Sequence, residues 1–348
     1  MSAEIELQLE TANTDSEKKG ALNFFKMVFV KIGVLPFLLI IAIIVFAVTS
    51  DNFLTSRNLS SVVRQSSFLI LVSVGQMFVL LTGGFDLSVG TIVALTSVVS
   101  ATAMAILHTI MPDSVWLVIT LGCFAGILAG SFVGVINGLG VSLLNVSPFM
   151  MTLGISSVGF GVALYMTGGT PVYGMPPEFG NIFGYGKFLG IPAPVFIGGV
   201  LICMLYFLLN WTRLGRYFYA VGGNTKAASL SGINTGLVKF LAYLICAATT
   251  AIAGLLLTAR LDTGEANIGS AMPLESIAAC VIAGVSLRGG HGRLENVVLG
   301  ALFIGLVQNG MNLARVESYL QTVVIGLLLI LAVIADQLRI RVMKSLYN

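Results

Sequence analysis

The chain is predicted to be all-α: a polytopic membrane protein of about ten transmembrane helices, with both termini cytoplasmic. Three observations predict this. Charge is scarce, since Asp, Glu, Lys and Arg make up 9% of 348 residues, against about a quarter in a soluble domain. Nine of the charges (Glu4, Glu6, Glu10, Asp15, Glu17, Lys18, Lys19, Lys26 and Lys31) crowd into the start of the chain, and the 317 residues after Lys31 share 24. The apolar runs, such as Val34–Val48 and Thr322–Ala335, are continuous and lack the two-residue alternation of a membrane barrel. A bilayer supplies no partner for backbone N–H and C=O, so such runs must be helices, each needing about 20 apolar residues. Finally, the basic residues are unevenly shared between alternate loops, as described below.

In chain order, residues 1–31 are expected to be a cytoplasmic N-terminal tail. The stretch Met1–Gly20 is polar and has no small-residue cleavage pattern, so it reads as a disordered tail and not as a signal peptide. A transmembrane domain is expected over 32–336, and 337–348 is a second cytoplasmic tail. Hydropathy and breakers place the spans near 32–50, 63–82, 88–108, 115–138, 147–167, 194–212, 237–258, 273–287, 295–312 and 318–336. The fourth carries glycine at every fourth position (Gly122, Gly126, Gly130, Gly134, Gly138). That bare ridge lets another backbone approach closely, either as static packing or as a moving seam. The eighth is short for a straight crossing and is expected to be broken or tilted. The four cysteines sit in apolar segments without metal-ligand spacing and read as buried small hydrophobes.

Two loops are too long to be turns. The outer one, Gly168–Pro194, holds Pro171, Pro176, Pro177, Pro192 and Pro194 together with five aromatic residues. It is a stiff cover over one end of the bundle, either a plain lid or a gate and docking surface for an external protein. The inner loop runs from Arg213 to Thr235. Within it Gly222 and Gly223 give a sharp entry, Asn224 can cap a short helix Thr225–Ser231, and Gly232 can end it. Such a helix fits a groove in a partner or lies on lipid headgroups. Its single lysine (Lys226) and small residues Ala227, Ala228, Ser229 and Ser231 make a poor lipid anchor. Ala228 is taken as the position where a bulky charge would disturb docking while sparing membrane insertion.

With the N-terminus inside, thirteen Lys and Arg fall on cytoplasmic segments. Five (Arg57, Arg64, Lys187, Arg260, Arg315) fall outside, the bias expected of an even number of spans. No basic patch suggests nucleic acid. No G-x-x-x-x-G-K-[ST], G-x-S-x-G or H-E-x-x-H is present, so neither nucleotide hydrolysis nor an intramembrane enzyme is expected. His108 and His291 fall at loops or span ends, where turn or surface roles suffice.

Ion-coupled carriers place an ionisable group at membrane depth, and the one candidate is Asp86 in Gly83-Gly84-Phe85-Asp86-Leu87-Ser88-Val89-Gly90. Its setting suggests that Asp86 or Ser88 caps the next helix. Neutral polar residues recur in the spans. Gln65 and Gln76, eleven apart, fall on one helix face, Gln308, Asn309 and Asn312 cluster near the end of the ninth span, and Asn137 lies at the inner end of the fourth. They either line a path for a neutral, hydroxylated solute or bond helices together.

Four segments in order, Gly83–Gly90, S-P-F-M-M-T-L-G at 147–154, V-G-G-N-T-K-A-A-S-L-S-G-I at 221–233 and I-A-A-C-V-I-A-G-V-S-L-R-G-G-H-G at 277–292, resemble the monosaccharide permeases of ATP-binding-cassette importers. These are the ribose, xylose, galactose and arabinose type. The resemblance implies a multi-pass subunit of the bacterial inner membrane that pairs with a second copy or a close homologue. It implies that a cytoplasmic ATPase subunit uses the ATP, that a periplasmic sugar-binding protein delivers the solute, and that this chain holds no cofactor or metal. The family's coupling segment falls on Asn224, Thr225, Lys226, Ala227, Ala228, Ser231 and Gly232, and its aspartate motif on Gly83, Gly84, Asp86, Ser88 and Gly90. Phe85 replaces a smaller aliphatic residue, and Arg288 and His291 make the Gly289-Gly290 turn more basic than usual. The alternative is a stand-alone secondary carrier or channel for a small polar solute.

Overall fold

Helix is the only regular structure that satisfies the backbone of these apolar runs internally, and each predicted span position holds one. The computed structural model of the chain describes residues 35–347, so the expected tail over 1–31 lies outside the described residues. The helices are α1 Leu35–Thr49, α2 Ser56–Leu81, α3 Val89–Ile110, α4 Val115–Ser142 and α5 Pro148–Thr167. They continue with α6 Ala193–Trp211, α7 Arg213–Gly223, α8 Thr225–Leu230, α9 Thr235–Leu261, α10 Met272–Ile282, α11 Leu294–Leu313 and α12 Ser318–Tyr347. Seven of these (α2–α6, α9 and α11) are long and apolar enough to cross a membrane. The apolar parts of α1, α10 and α12 are shorter. Helix α10 stops at Ile282, and Gly284 turns the chain with φ +83°, the break expected of the eighth span. Helix α12 runs through the segment expected as a C-terminal tail.

Helix α2 lies at the centre and is buried on all sides from Ser66 to Leu81. A helix apolar around its whole circumference has to be enclosed by others, and α9, α10 and α11 pack directly on α2. The glycine ridge of α4 is sandwiched between α3 and α9. A Cβ on Gly126 would lie 3.0 Å from the Thr96 carbonyl, and one on Gly134 would lie 2.9 Å from the Tyr243 carbonyl. The bare α4 backbone thus lies against main-chain carbonyls and the first side-chain atoms of its neighbours, the close-packed arrangement. Helices α5 and α6 lie outermost and expose most of their surface. Cys246 and Cys280 are buried as expected, whereas Cys123 is half-buried and Cys203 is exposed. The correction at Cys203 follows from the outward face of α6, where a thiol meets lipid as readily as a methyl group does.

The outer loop is folded. Val172 pairs with Gly264 in an isolated antiparallel bridge, and Phe179 packs against Phe183. The Arg260 guanidinium lies 4.6 Å from the centre of the Tyr185 ring, a cation–π contact. A two-stranded hairpin, Lys187–Phe188 with Ile191–Pro192, leads directly into α6.

Candidate functional site

The inner loop contains more structure than its sequence suggests. The Thr212 hydroxyl accepts from Gly215 N (3.2 Å) and caps α7. Gly215, Phe218 and Val221 face inward while Arg213, Arg216 and Tyr217 face out. The Phe218 ring meets Phe78 edge-on at 5.3 Å, pressing α7 on the Leu81 end of α2. Gly222 and Gly223 are therefore the last residues of a helix and not a sharp turn. The reason is contact: a Cβ at Gly222 would overlap the Leu81 carbonyl oxygen and come within 2.5 Å of Gly290 N. At the same place Gly290 N donates to Leu81 O (2.9 Å), and Tyr219 OH donates to Gly292 O (2.9 Å). Burial, and secondarily the Glu295 carboxylate, pushes the Tyr219 hydroxyl above its ordinary range, so it stays a donor. Three segments, the end of α2, the end of α7 and the turn before α11, thus meet through main-chain atoms.

Helix α8 is capped as the sequence predicts. Asn224 Oδ1 accepts from Ala227 N (3.0 Å), and Gly232 leaves with φ +81°, one residue beyond the expected helix end. Thr225 and Ser231 donate their hydroxyls to Val221 O and Ala227 O (2.8 and 2.9 Å). One expectation fails. Ala228 is buried against the core, whereas Leu230 is 91% exposed and shares its outer face with Lys226, one turn earlier. The Asn224 cap and the α7 contact fix the rotation of α8 so that Ala228 points inward.

Deeper, a buried polar knot holds the Gly83–Gly90 segment. Asp86 Oδ1 accepts from Ser88 N (2.8 Å) and Ser88 Oγ (2.6 Å), and Asn137 Nδ2 donates to Ser88 Oγ (2.7 Å). Neither Asp86 nor Ser88 caps α3 with its side chain, because Asp86 closes a turn on the residue two ahead and the Ser88 hydroxyl is committed to Asp86 and Asn137. In the orientation that pairs donors with acceptors, the Gln76 amide brackets the Asp86 peptide at 3.2 Å on both sides. Tyr243 OH donates to Phe85 O (3.1 Å). Among the described residues Asp86 Oδ2 and Asn137 Oδ1 are buried without a hydrogen-bond partner. Beside the knot lies a cavity of about 170 Å³, bordered by Gly83, Gly84, Ser147, Lys239 and Tyr243.

The remaining amides are not brought together. Gln65 is exposed, apart from buried Gln76, because α2 is enclosed only beyond Ser66. Asn309 and Asn58 exchange two bonds (3.0 and 2.9 Å). Gln308 donates to Glu275 (2.7 Å) and Asn312 accepts from Gln321 (2.8 Å). Each ties α11 to a different helix. Ser88→Ala removes the hydroxyl joining Asp86 to Asn137. It is expected to lower stability by about 2 kcal/mol, because Asn137 Nδ2 is left unpaired in a buried site and Asp86 Oδ1 keeps only its bond from Ser88 N, read as a lowered thermal midpoint in detergent, with Ser88→Thr retaining most of it.

Bilayer-length apolar helices around this knot, with a capped helix exposed at one end, define a polytopic helical membrane protein. The chain belongs to the family described as branched-chain amino acid transport system / permease component, whose model matches residues 58–333. It is 38% identical over 331 residues to the ribose import permease protein of Bacillus subtilis (strain 168), covering 94% of this chain and 99% of that one. The D-allose transport system permease protein of Escherichia coli (strain K12) is 36% identical over 325 residues (93% and 97%). The galactose/methyl galactoside import permease protein of the same strain is 33% identical over 311 residues (87% and 92%). These relatives are transport permeases of the group that the four motifs resemble. No solved structure matches the chain.

Proposed function

We propose that this chain is the permease subunit of an ATP-binding-cassette importer that carries a neutral monosaccharide across the bacterial inner membrane. The end-to-end similarity to the ribose import permease carries the reading, since it leaves almost no part of either chain unmatched. In this reading α1, α10 and α12 complete ten crossings and both termini are cytoplasmic. A second permease copy or homologue builds the conduit, and a periplasmic binding protein delivers the sugar. ATP is used by a separate cytoplasmic subunit, whose groove receives α8.

The exposed side of α8 is the docking face: Lys226 and Leu230 contact the ATPase, while Asn224, Thr225, Ala228 and Gly232 hold the helix in position. A push on α8 passes through α7 to Leu81 and Gly83, and so to the knot and the adjacent cavity. Alternating access follows when the ATPase state favours one arrangement of that junction over another. The amides of α11 serve as ties between helices flanking the path.

The family description supports a second reading, in which the solute is a branched-chain amino acid. Uptake by proteoliposomes holding the permease with its ATPase and binding protein separates the two. ATP-dependent accumulation of radiolabelled ribose, allose, galactose or arabinose is expected, and accumulation of leucine alone replaces the sugar. Gradient-driven uptake by this chain without an ATPase overturns the importer reading.

A further inference from the structure

The outer hairpin breaks a rule of turn chemistry. Its two-residue turn, Leu189–Gly190, joins Lys187–Phe188 to Ile191–Pro192, and both turn residues have positive φ (53° and 81°). Such a turn favours Asn-Gly or Asp-Gly, because a leucine Cβ crowds the following carbonyl in the left-handed region. Leu189 is also 90% exposed. On a water-facing tip asparagine would suit both backbone and solvent, so the leucine answers to something outside the turn.

The position of the hairpin says what that is. Ala193 N donates to Gly186 O (2.8 Å), which fastens the hairpin to the start of α6. The Phe188 ring packs on Phe196 in the first turn of α6, with centroids 5.7 Å apart. The hairpin therefore lies down along α6 instead of standing into the aqueous space. Below Phe196, Val200, Met204, Phe207 and Trp211 continue on the same face at 50%, 63%, 61% and 72% exposure. That stripe is the exposed apolar side of a candidate span, the side that lipid covers if the span crosses a bilayer. Nineteen residues at 1.5 Å each give about 28 Å, close to the hydrocarbon thickness. The start of α6 thus sits at the boundary, level with the hairpin. The only charge from Gly186 to Pro192 is Lys187, whose long stem lets its ammonium reach the headgroups.

We propose that the Lys187–Pro192 hairpin seats Leu189 and Ile191 in the headgroup–acyl boundary of the outer leaflet, making the outer loop a lipid-anchored element. The inference rests on the reading that α6 crosses the bilayer with residues 168–192 outside. Because Tyr185 holds Arg260 and Val172 pairs with Gly264, the anchor also ties the outer end of α9 to the leaflet. The partner is lipid and not the delivery protein, since the tip continues the α6 stripe.

Tryptophan reporters test it. In a Trp116→Phe, Trp211→Phe background, Leu189→Trp, Ile191→Trp and Val200→Trp are each reconstituted into phosphatidylethanolamine–phosphatidylglycerol vesicles with or without brominated acyl chains. Blue-shifted emission that bromolipid lowers by roughly twofold is expected at 189 and 191 as well as at 200. Water-like emission at 189 and 191, quenched by iodide and untouched by bromolipid, overturns the anchor while a quenched 200 keeps the bilayer reading. Loss of lipid quenching at all three positions sinks the bilayer reading itself.

Discussion

Gly222→Ala is expected to leave little folded protein at the membrane. The added methyl would overlap the Leu81 carbonyl oxygen and press on Gly290 N, and neither is the free end of a side chain that could swing aside. Relief requires α7 to lift from α2, breaking the Gly290–Leu81 bond and the Phe218–Phe78 contact. Overpacking of this kind costs about 1–3 kcal/mol, and the lost buried hydrogen bond adds about 1–3. Gly223 is the internal control, since a Cβ there meets nothing within 4 Å and alanine improves helix propensity by about 1 kcal/mol. Size-exclusion profiles and thermal midpoints in detergent should therefore separate two neighbouring Gly→Ala changes sharply. Equal behaviour of the pair would remove the junction from the account.

Leu230→Asp is expected to abolish ATP-driven uptake while the protein still inserts and folds. Leu230 makes almost no contact with the described residues, so its loss leaves the fold unstrained. Covering a leucine in a partner groove contributes about 1.5–3 kcal/mol, roughly a 10- to 150-fold change in ATPase affinity. A buried unpaired carboxylate adds further cost. Co-purification of the ATPase, and stimulation of its hydrolysis by the permease, are the readouts. Ala228→Asp should behave differently: Ala228 packs inward, so the charge disrupts the seat of α8 and lowers the thermal midpoint. Intact ATPase binding by Leu230→Asp would place the coupling face elsewhere.

The helices were legible because a bilayer leaves the backbone few options, and hydropathy reports that constraint directly. The α8 cap was legible for a local reason, since Asn224 bonds only three residues ahead. Helix α7 was missed. Its glycines and arginines resemble a loop, although Gly215, Phe218 and Val221 repeat every third residue, the spacing of one helix face. The inward turn of Ala228 is set by contacts with the rest of the bundle, which no local spacing records. The amides illustrate the same limit: Asn309 pairs with Asn58 from 251 residues away, so the sequence could show a polar group in a span but not its consumption by another helix. At Asp86 the residue types were right and the bonding wrong, because the Ser88 hydroxyl is shared with a second helix.

The sandwiched α4 has a mechanical consequence. Where two helices meet through side chains, rotamer changes can absorb a small slide. Along the middle of the α4 ridge, Gly126, Gly130 and Gly134 rest on main-chain carbonyls and on the short side chains of Thr96, Ser100, Ala247 and Ala251, which have little freedom to yield, so α3, α4 and α9 form a stiff keel. Any stroke of the molecule is then expected at the junction of α7 with α2 and at the exposed flanks, α5 and α6, with the keel carried along whole.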